Sequence, residues 1–382
     1  MLMSAGGALG ASLLPALVAQ EKSSVPPSSP KNIEALSELV CLADFEAAAR
    51  ERMSVTAYEY IASGAADEIT IRWNREAFDK LALRPRVLVD VERIDTSVEL
   101  FGQKLDFPIL LAPTALHRLV HPEGEVETAR GAGVAKATFV VSSFSTRRFE
   151  DIAHATSEPL WFQLYDLAKD RHGLVRDLVQ ELKGLGCRAL CVTVDAPVVG
   201  ARNRQARAHF RIPDDFDTPY YDRKKAKLYA GLPVMGSFTW DDIAWLRSTT
   251  DLPLLLKGIL NPEDADLAIR SGVNGLIVSN HGGRCLDTLP ATISVLPQII
   301  ERVARRVPVL VDGGVRRGTD VMKAVALGAK AVLIGRPYLY GLAAGGASGV
   351  SKVVEVLRNE FTMAMALTGR RSLAEIDRSV VW

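Results

Sequence analysis

His281 lies in Ser279-Asn280-His281-Gly282-Gly283-Arg284, at the end of the apolar run GLIVSN. The two glycines let the backbone come close to a ligand, and an arginine follows three residues after the histidine. An imidazole exchanges protons near neutral pH. A guanidinium holds a carboxylate through two parallel hydrogen bonds. A base beside a carboxylate clamp is the equipment for proton removal from a small organic acid. The other histidines, His117, His121, His154, His172 and His209, lack such neighbours and read as structural.

A second group points to a phosphate. The stretch Asp312-Gly313-Gly314-Val315-Arg316 offers flexible N–H groups and a cation, and Gly335-Arg336 repeats the combination. Paired loops of this kind after two late strands suit a phosphorylated ligand. Lys257, in the apolar run PLLLKG, is costly to bury without a partner, and could meet an electron-rich part of that ligand. Ser143, Gln163 and Thr193 add neutral hydrogen bonds suited to a heterocycle. One phosphate plus a polar ring edge in a mostly apolar pocket fits flavin mononucleotide, FMN. Over a flavin, the His281–Arg284 pair implies oxidation of a hydroxy acid.

These residues end eight short apolar runs: 107–113, 138–143, 160–165, 189–195, 253–258, 275–280, 307–313 and 331–336. Each run is nearly continuously apolar, as strands buried on both faces must be. Amphipathic stretches separate them, such as NPEDADLAIRSG with its Asn cap, first-turn proline and early acids. Eight such units predict a (β/α)8 barrel, a TIM barrel of the α/β class, whose chemistry gathers at the C-terminal ends of the strands. Residues 42–80 read as a helical N-terminal segment. The connection after the fourth strand is too long for a simple link, and its polar part, 203–237, reads as a lid loop.

The chain has 382 residues, 48% of them hydrophobic, with 46 Lys and Arg against 45 Asp and Glu. A net charge of +1 gives no global attraction for nucleic acid, so no nucleic-acid partner is expected. Among four cysteines, Cys187 and Cys191 are close, but no second pair completes a zinc site, and no metal is expected. Gly184-x-Gly186-x-x-Ala189 mimics a dinucleotide fingerprint, but it precedes a strand instead of following one, which excludes it. Residues 1–30 are expected to stand apart from the domain at 40–379, as a disordered or export-signal-like segment lacking a basic start. The default location is the cytoplasm, with export as the alternative. The ending Ser379-Val380-Val381-Trp382 is not peroxisomal.

With these motifs in place, the chain resembles the FMN-dependent 2-hydroxy-acid oxidases and dehydrogenases, including the glycolate and lactate oxidases. The motifs are YEYIASGAAD (58–67), APTA (112–115), HPEGE (121–125), FQLY (162–165), TVDAP (193–197), SNHGGRCLD (279–287), DGGVRRGTDV (312–321) and IGRP (334–337). The resemblance implies that Pro113, Thr114 and Ala115 line the flavin, with the Ala115 amide near its reactive nitrogen. It implies that Ser143, Gln163, Thr193, Lys257 and Ser279 bind the ring and ribityl chain. Asp312, Gly313, Gly314, Val315, Arg316, Gly335 and Arg336 would hold the ribityl chain and phosphate. Tyr60, Arg202 and Arg284 would bind the substrate carboxylate, and Tyr165 its hydroxyl. His281 would be the base, with Asp195 stabilising it when protonated. The family also implies a homo-oligomer, a tetramer.

The expected reaction takes an (S)-2-hydroxy acid to the 2-oxo acid, with oxygen as acceptor and peroxide as product, by either a hydride or a carbanion route. The alternatives are a dehydrogenase passing electrons to a quinone or cytochrome, a flavin-dependent isomerase, and a non-catalytic flavin-binding protein. Arg284 beside His281 argues against the isomerase. Ala115 leans toward an oxidase. Phe144 stands where glycolate oxidases usually carry Trp, and with Val199 it is expected to leave room for longer side chains. Cys285 replaces the usual Gln and has no assigned role.

Overall fold

Eight strands pair in parallel into a closed barrel in the computed structural model, which describes residues 36–165, 169–221, 228–229, 232–233 and 238–382. They are β1 (Ile109–Leu111), β2 (Phe139–Ser142), β3 (Leu160–Leu164), β4 (Leu190–Thr193), β5 (Leu254–Lys257), β6 (Gly275–Val278), β7 (Val309–Asp312) and β8 (Ala331–Ile334). Each of the eight apolar runs supplies one strand. Consecutive strands are neighbours, and β8 closes on β1 through Leu333 opposite Leu110. The segment 1–30 lies outside the described residues.

Three helices precede the barrel: α1 (Leu42–Arg52), α2 (Val55–Ala62) and α3 (Ile69–Asp79). The helices that follow the successive strands are α4 (Glu125–Ala135), α5 (Phe149–His154), α6 (His172–Gly184), α8 (Trp240–Thr249), α9 (Pro262–Arg270), α10 (Thr292–Val303), α11 (Gly318–Ala326) and α12 (Arg336–Leu367). A short helix, α7 (Asn203–Arg207), lies in the long β4–β5 connection. The cap of α9 follows the sequence reading: the Glu263 amide donates to Asn261 Oδ1 at 2.9 Å, and Pro262 opens the helix. Helix α6 buries Val175, Val179 and Leu182, the one-face spacing of a 3.6-residue period. No helix among the described residues is long and apolar enough to cross a membrane.

The alternation of side chains along a strand divides the apolar core in two. Leu110, Val140, Trp161, Cys191, Leu255, Ile277, Leu310 and Leu333 fill the barrel lumen as one cluster. Their strand neighbours, among them Leu111, Val141, Phe162, Val192 and Val278, belong to the outer cluster that packs on the helices. A hairpin of Val98–Leu100 and Gln103–Leu105 adds Val98, Leu100 and Leu105 to the lumen cluster. The lumen is therefore filled with side chains, and a cavity opens beyond the polar ends of the strands.

Candidate active site

Counting two residues on from the lumen cluster gives the next interior layer. Ser142 follows Val140, Gln163 follows Trp161, Thr193 follows Cys191, Lys257 follows Leu255, Ser279 follows Ile277 and Asp312 follows Leu310. All six are buried polar residues. Ser142 donates to Gln163 Oε1 at 3.0 Å, and Gln163 Nε2 donates to Thr193 Oγ1 at 3.0 Å. Lys257 Nζ donates to Ser279 Oγ at 3.0 Å and lies 3.4 Å from Asp312 Oδ2. Burial opposes the Lys257 charge, but Asp312 and Asp195 outweigh it and hold the ammonium above its ordinary range. The layer is not fully satisfied. Asp312 Oδ1 is buried without a hydrogen-bond partner, as is Ser143 Oγ next to the layer, and a polar ligand edge would supply one.

Above this layer opens a cavity of about 370 Å³. Lys257, Arg202, Arg284, Arg316 and Arg336 all line it, and Asp312 is the only carboxylate among its lining residues. Burial, then the charge of Arg202, destabilises the Arg284 guanidinium. Burial likewise lowers Arg316 and Arg336. Arg284 uses Nη1 alone to donate to backbone carbonyls at the end of α2: Tyr60 at 2.7 Å, Ile61 at 3.3 Å and Ser63 at 2.9 Å. Arg336 donates to Ile61, to Gly282 and to Ser63. Carbonyl dipoles orient these cations without neutralising them. Such a cavity favours anions, and a phosphate with a carboxylate supplies them.

Pro113, Thr114 and Ala115 line the cavity beyond β1, and Gly313, Gly314, Val315 and Gly335 line it beyond β7 and β8. The amides of Arg316 and Arg317 already donate to Asp320 Oδ2, at 2.8 and 3.0 Å. Asp320 thus serves the start of α11, so the Arg316 side chain and the neighbouring glycine loop are what face a phosphate. The glycine at 314 is demanded by packing as well. Its φ is +86°, and a Cβ there would come within 2.2 Å of the Asn74 carbonyl oxygen on α3. The residues therefore fit FMN in both ring-edge and phosphate chemistry.

His281 ends β6 with a left-handed backbone, φ +58°, followed by Gly282 and Gly283 at +62° and +73°. A non-glycine residue in this region stores strain, which its surroundings must hold. Its amide donates to Ser279 Oγ at 3.0 Å. Its Nδ1 lies 2.9 Å from Asp195 Oδ1, and its Nε2 lies 3.1 Å from the Tyr165 hydroxyl. Burial favours the neutral ring, but Asp195 outweighs it, so His281 is raised. Burial pushes Asp195 up, but His281 and Lys257 pull it down further, so it stays ionised. Burial raises Tyr165, which therefore remains a phenol. An ionised Asp195 can only accept, so Nδ1 carries the proton, and the Nε2 lone pair receives the Tyr165 O–H.

Tyr60, Tyr165, Arg202, His281 and Arg284 share the cavity. Gln163, Thr193 and Ser279 stand in the polar layer and Asp195 at the back of His281. Ser142, not the expected Ser143, lines the cavity, because the two-residue period puts Ser142 on the interior face. Phe144 and Val199 are both among the residues lining the cavity. The described part of the lid region, 203–221, contributes Gln205, Phe210 and Ile212 to the lining, while 222–227, 230–231 and 234–237 lie outside the described residues. Phe210 stacks on Tyr60 with ring centroids 4.3 Å apart. Arg204 ties α7 down, reaching Glu59 at 2.6 Å and Glu68 at 3.1 Å. Sequence reasoning missed these residues, and it missed the reciprocal amide pair of Asn74 and Asn280, at 3.0 and 2.9 Å, which locks α3 to the residue before His281. The only signal was the position of Asn280 beside His281.

The model of the FMN-dependent dehydrogenase family matches residues 49–382. A 2-hydroxyacid oxidase of Dictyostelium discoideum is 41% identical over 362 residues, covering 93% of each chain. An L-lactate oxidase of a Nostoc species is 44% identical over 361 residues, covering 90% of this chain and 98% of the relative. A crystal structure of mandelate oxidase with (S)-2-phenylpropionate superposes with a TM-score of 0.82 at 38% identity, over 90% of this chain and 98% of the other. The match runs through α2, every barrel strand and the His281 loop, and this chain belongs to the FMN-dependent dehydrogenase family.

Proposed function

We infer that His281, Asp195, Tyr165, Arg284, Arg202 and Tyr60 carry out the family's chemistry in this chain, and that its substrate is an (S)-2-hydroxy acid. The chain is an FMN-dependent 2-hydroxy-acid oxidase that uses oxygen as electron acceptor. The Asp195–His281–Tyr165 array, at 2.9 and 3.1 Å and facing a cavity lined by cations, is the observation that carries the reading.

The guanidinium groups of Arg284 and Arg202 hold the substrate carboxylate, assisted by Tyr60, whose ring lies 5.2 Å below Arg284 Cζ. This places the substrate hydroxyl near His281 Nε2 and the Tyr165 O–H. Nε2 takes the proton that leaves, and Asp195 steadies the resulting imidazolium through Nδ1. FMN, when bound, supplies the two-electron acceptor that oxygen regenerates, with hydrogen peroxide as product. Lys257, held by Ser279 and Asp312, would supply a fixed positive charge that stabilises negative charge on a bound flavin. The packed lumen below and Phe210 above limit water.

Substrate side chains face Phe144 and Val199, and the volume left there favours a methyl or longer apolar group over hydrogen. The chain assembles as a homo-oligomer, a tetramer of about four times 41.5 kDa, which mass photometry would measure. The function is tested by mixing holoenzyme anaerobically with a panel of (S)-2-hydroxy acids and then admitting oxygen. Flavin bleaching followed by peroxide supports the assignment. No bleaching by any acid refutes it, and bleaching with sluggish reoxidation moves the acceptor to a quinone or cytochrome.

A further inference from the structure

Cys285 stands next to Arg284 in the His281 loop, half-buried and unbridged. Ligand atoms of Asp195, His281 and Cys285 all lie within 4.8 Å of one another. Among the described residues, no other three His, Cys, Asp or Glu side chains converge so closely. The Asp195 side chain is 10% exposed, and its Oδ2 is buried without a hydrogen-bond partner. Neither the base role of His281 nor the positioning role of Asp195 uses that oxygen or the Cys285 thiol.

We propose that Asp195, His281 and Cys285 form an inhibitory site for a borderline or soft divalent cation, Zn2+ or Cd2+. One thiolate, one imidazole and one carboxylate are the donor set these ions prefer, and hard Mg2+ and Ca2+ favour all-oxygen sets. Two ligands of a tetrahedral zinc sit about 3.5 Å apart, so a small swing of the Cys285 side chain closes the group on an ion. The backbone is held for this. A Cβ on Gly200 would come within 2.0 Å of the Cys285 carbonyl oxygen, and Arg202 Nε donates to the Arg284 carbonyl at 3.3 Å. Lys257 is the cation that faces Asp195, and Asp312 at 3.4 Å already compensates it. Water or a substrate oxygen completes the fourth position.

The ion removes the base whichever ring nitrogen it takes. Coordination at Nε2 consumes the proton-accepting lone pair. Coordination at Nδ1 breaks the hydrogen bond that Nδ1 donates to Asp195 and moves the ring proton to Nε2. Inhibition thus rests on His281 as the base, whereas binding does not.

Chelator-treated holoenzyme is titrated with Zn2+ under equilibrium dialysis, with Cd2+ while the ultraviolet thiolate-to-cadmium absorption is followed, and with Zn2+ in turnover. The expected results are one zinc per chain, the cadmium band, inhibition reversed by chelator, and no inhibition by Mg2+ or Ca2+. Cys285→Ser should lose the band and weaken zinc on the order of a hundredfold, with turnover in chelator close to that of the parent, and Cys41 remains as an internal thiol control. His281→Ala should weaken zinc as well. Absence of zinc binding, or an unchanged band in Cys285→Ser, overturns the site and leaves the role of His281 intact. Binding that shows the band and is weakened in His281→Ala, yet leaves turnover unchanged, overturns the inhibitory claim and, with it, His281 as the base.

Discussion

Replacing Asp195 by Asn isolates the charge behind the base. The carboxylate lies 2.9 Å from His281 Nδ1, and its charge acts on the ring only once the ring has taken a proton. At that separation and an effective dielectric constant of about 20, the attraction is about 6 kcal/mol. Asn can still accept from Nδ1, which returns about 1 kcal/mol, and the removed carboxylate no longer bears its own desolvation cost. About 3–5 kcal/mol remains, which is roughly two to four orders of magnitude in rate. The assay is anaerobic stopped-flow reduction of the bound flavin at saturating substrate. The pH profile gives an independent sign. Asp195 raises His281, so activity in the parent falls as pH drops through that raised value, where the base becomes protonated. Without the carboxylate, burial dominates and lowers His281, and the acid limb moves to lower pH. A loss of less than about tenfold, or an acid limb that stays in place, would refute the electrostatic account of this pair.

Arg284→Lys should raise KM more than it lowers kcat, because an ammonium cannot grip a carboxylate with a fork and also loses the Tyr60, Ile61 and Ser63 carbonyls; an unchanged KM removes Arg284 from the clamp. Phe144→Trp should shift specificity toward glycolate by a few-fold to tens-fold, about one or two methylenes of discrimination, read as the ratio of kcat/KM for lactate and glycolate; no shift would place control with the lid region. Gly314→Ala should cost at least about 2 kcal/mol and lower FMN occupancy, through strain at φ +86° plus the clash with Asn74. Gly102→Ala, at φ +73° with nothing within 4 Å of its Cβ, should cost only the strain and serves as its control, with Tm as the readout.

The barrel was legible in the chain because two-sided burial leaves a local mark. Runs such as PLLLKG and GLIVSN are continuously apolar up to their polar ends, where Lys257, Ser279 and Asn280 stand out against that background. The two-residue period puts Lys257 on the face of Leu255, Ser279 on that of Ile277 and Asp312 on that of Leu310, but only barrel closure makes that face the lumen. The glycine pairs after β6 and β7 read as backbone able to approach a ligand, and in the structure all four glycines have positive φ. What no local pattern carries is which loop meets which. Asn74 pairs with Asn280 across 206 positions, and the carbonyls of α2 orient Arg284 from more than 220 positions away. Phe210 over Tyr60 and Arg204 on Glu59 and Glu68 depend on how the long β4–β5 connection folds back onto the N-terminal helices. Strand ends inherit their positions from hydrogen-bonded register, which the periodicity of the sequence encodes. Loop contacts form only after barrel closure brings distant segments together, so the residues that tune the base and shape the pocket were decided by the tertiary structure.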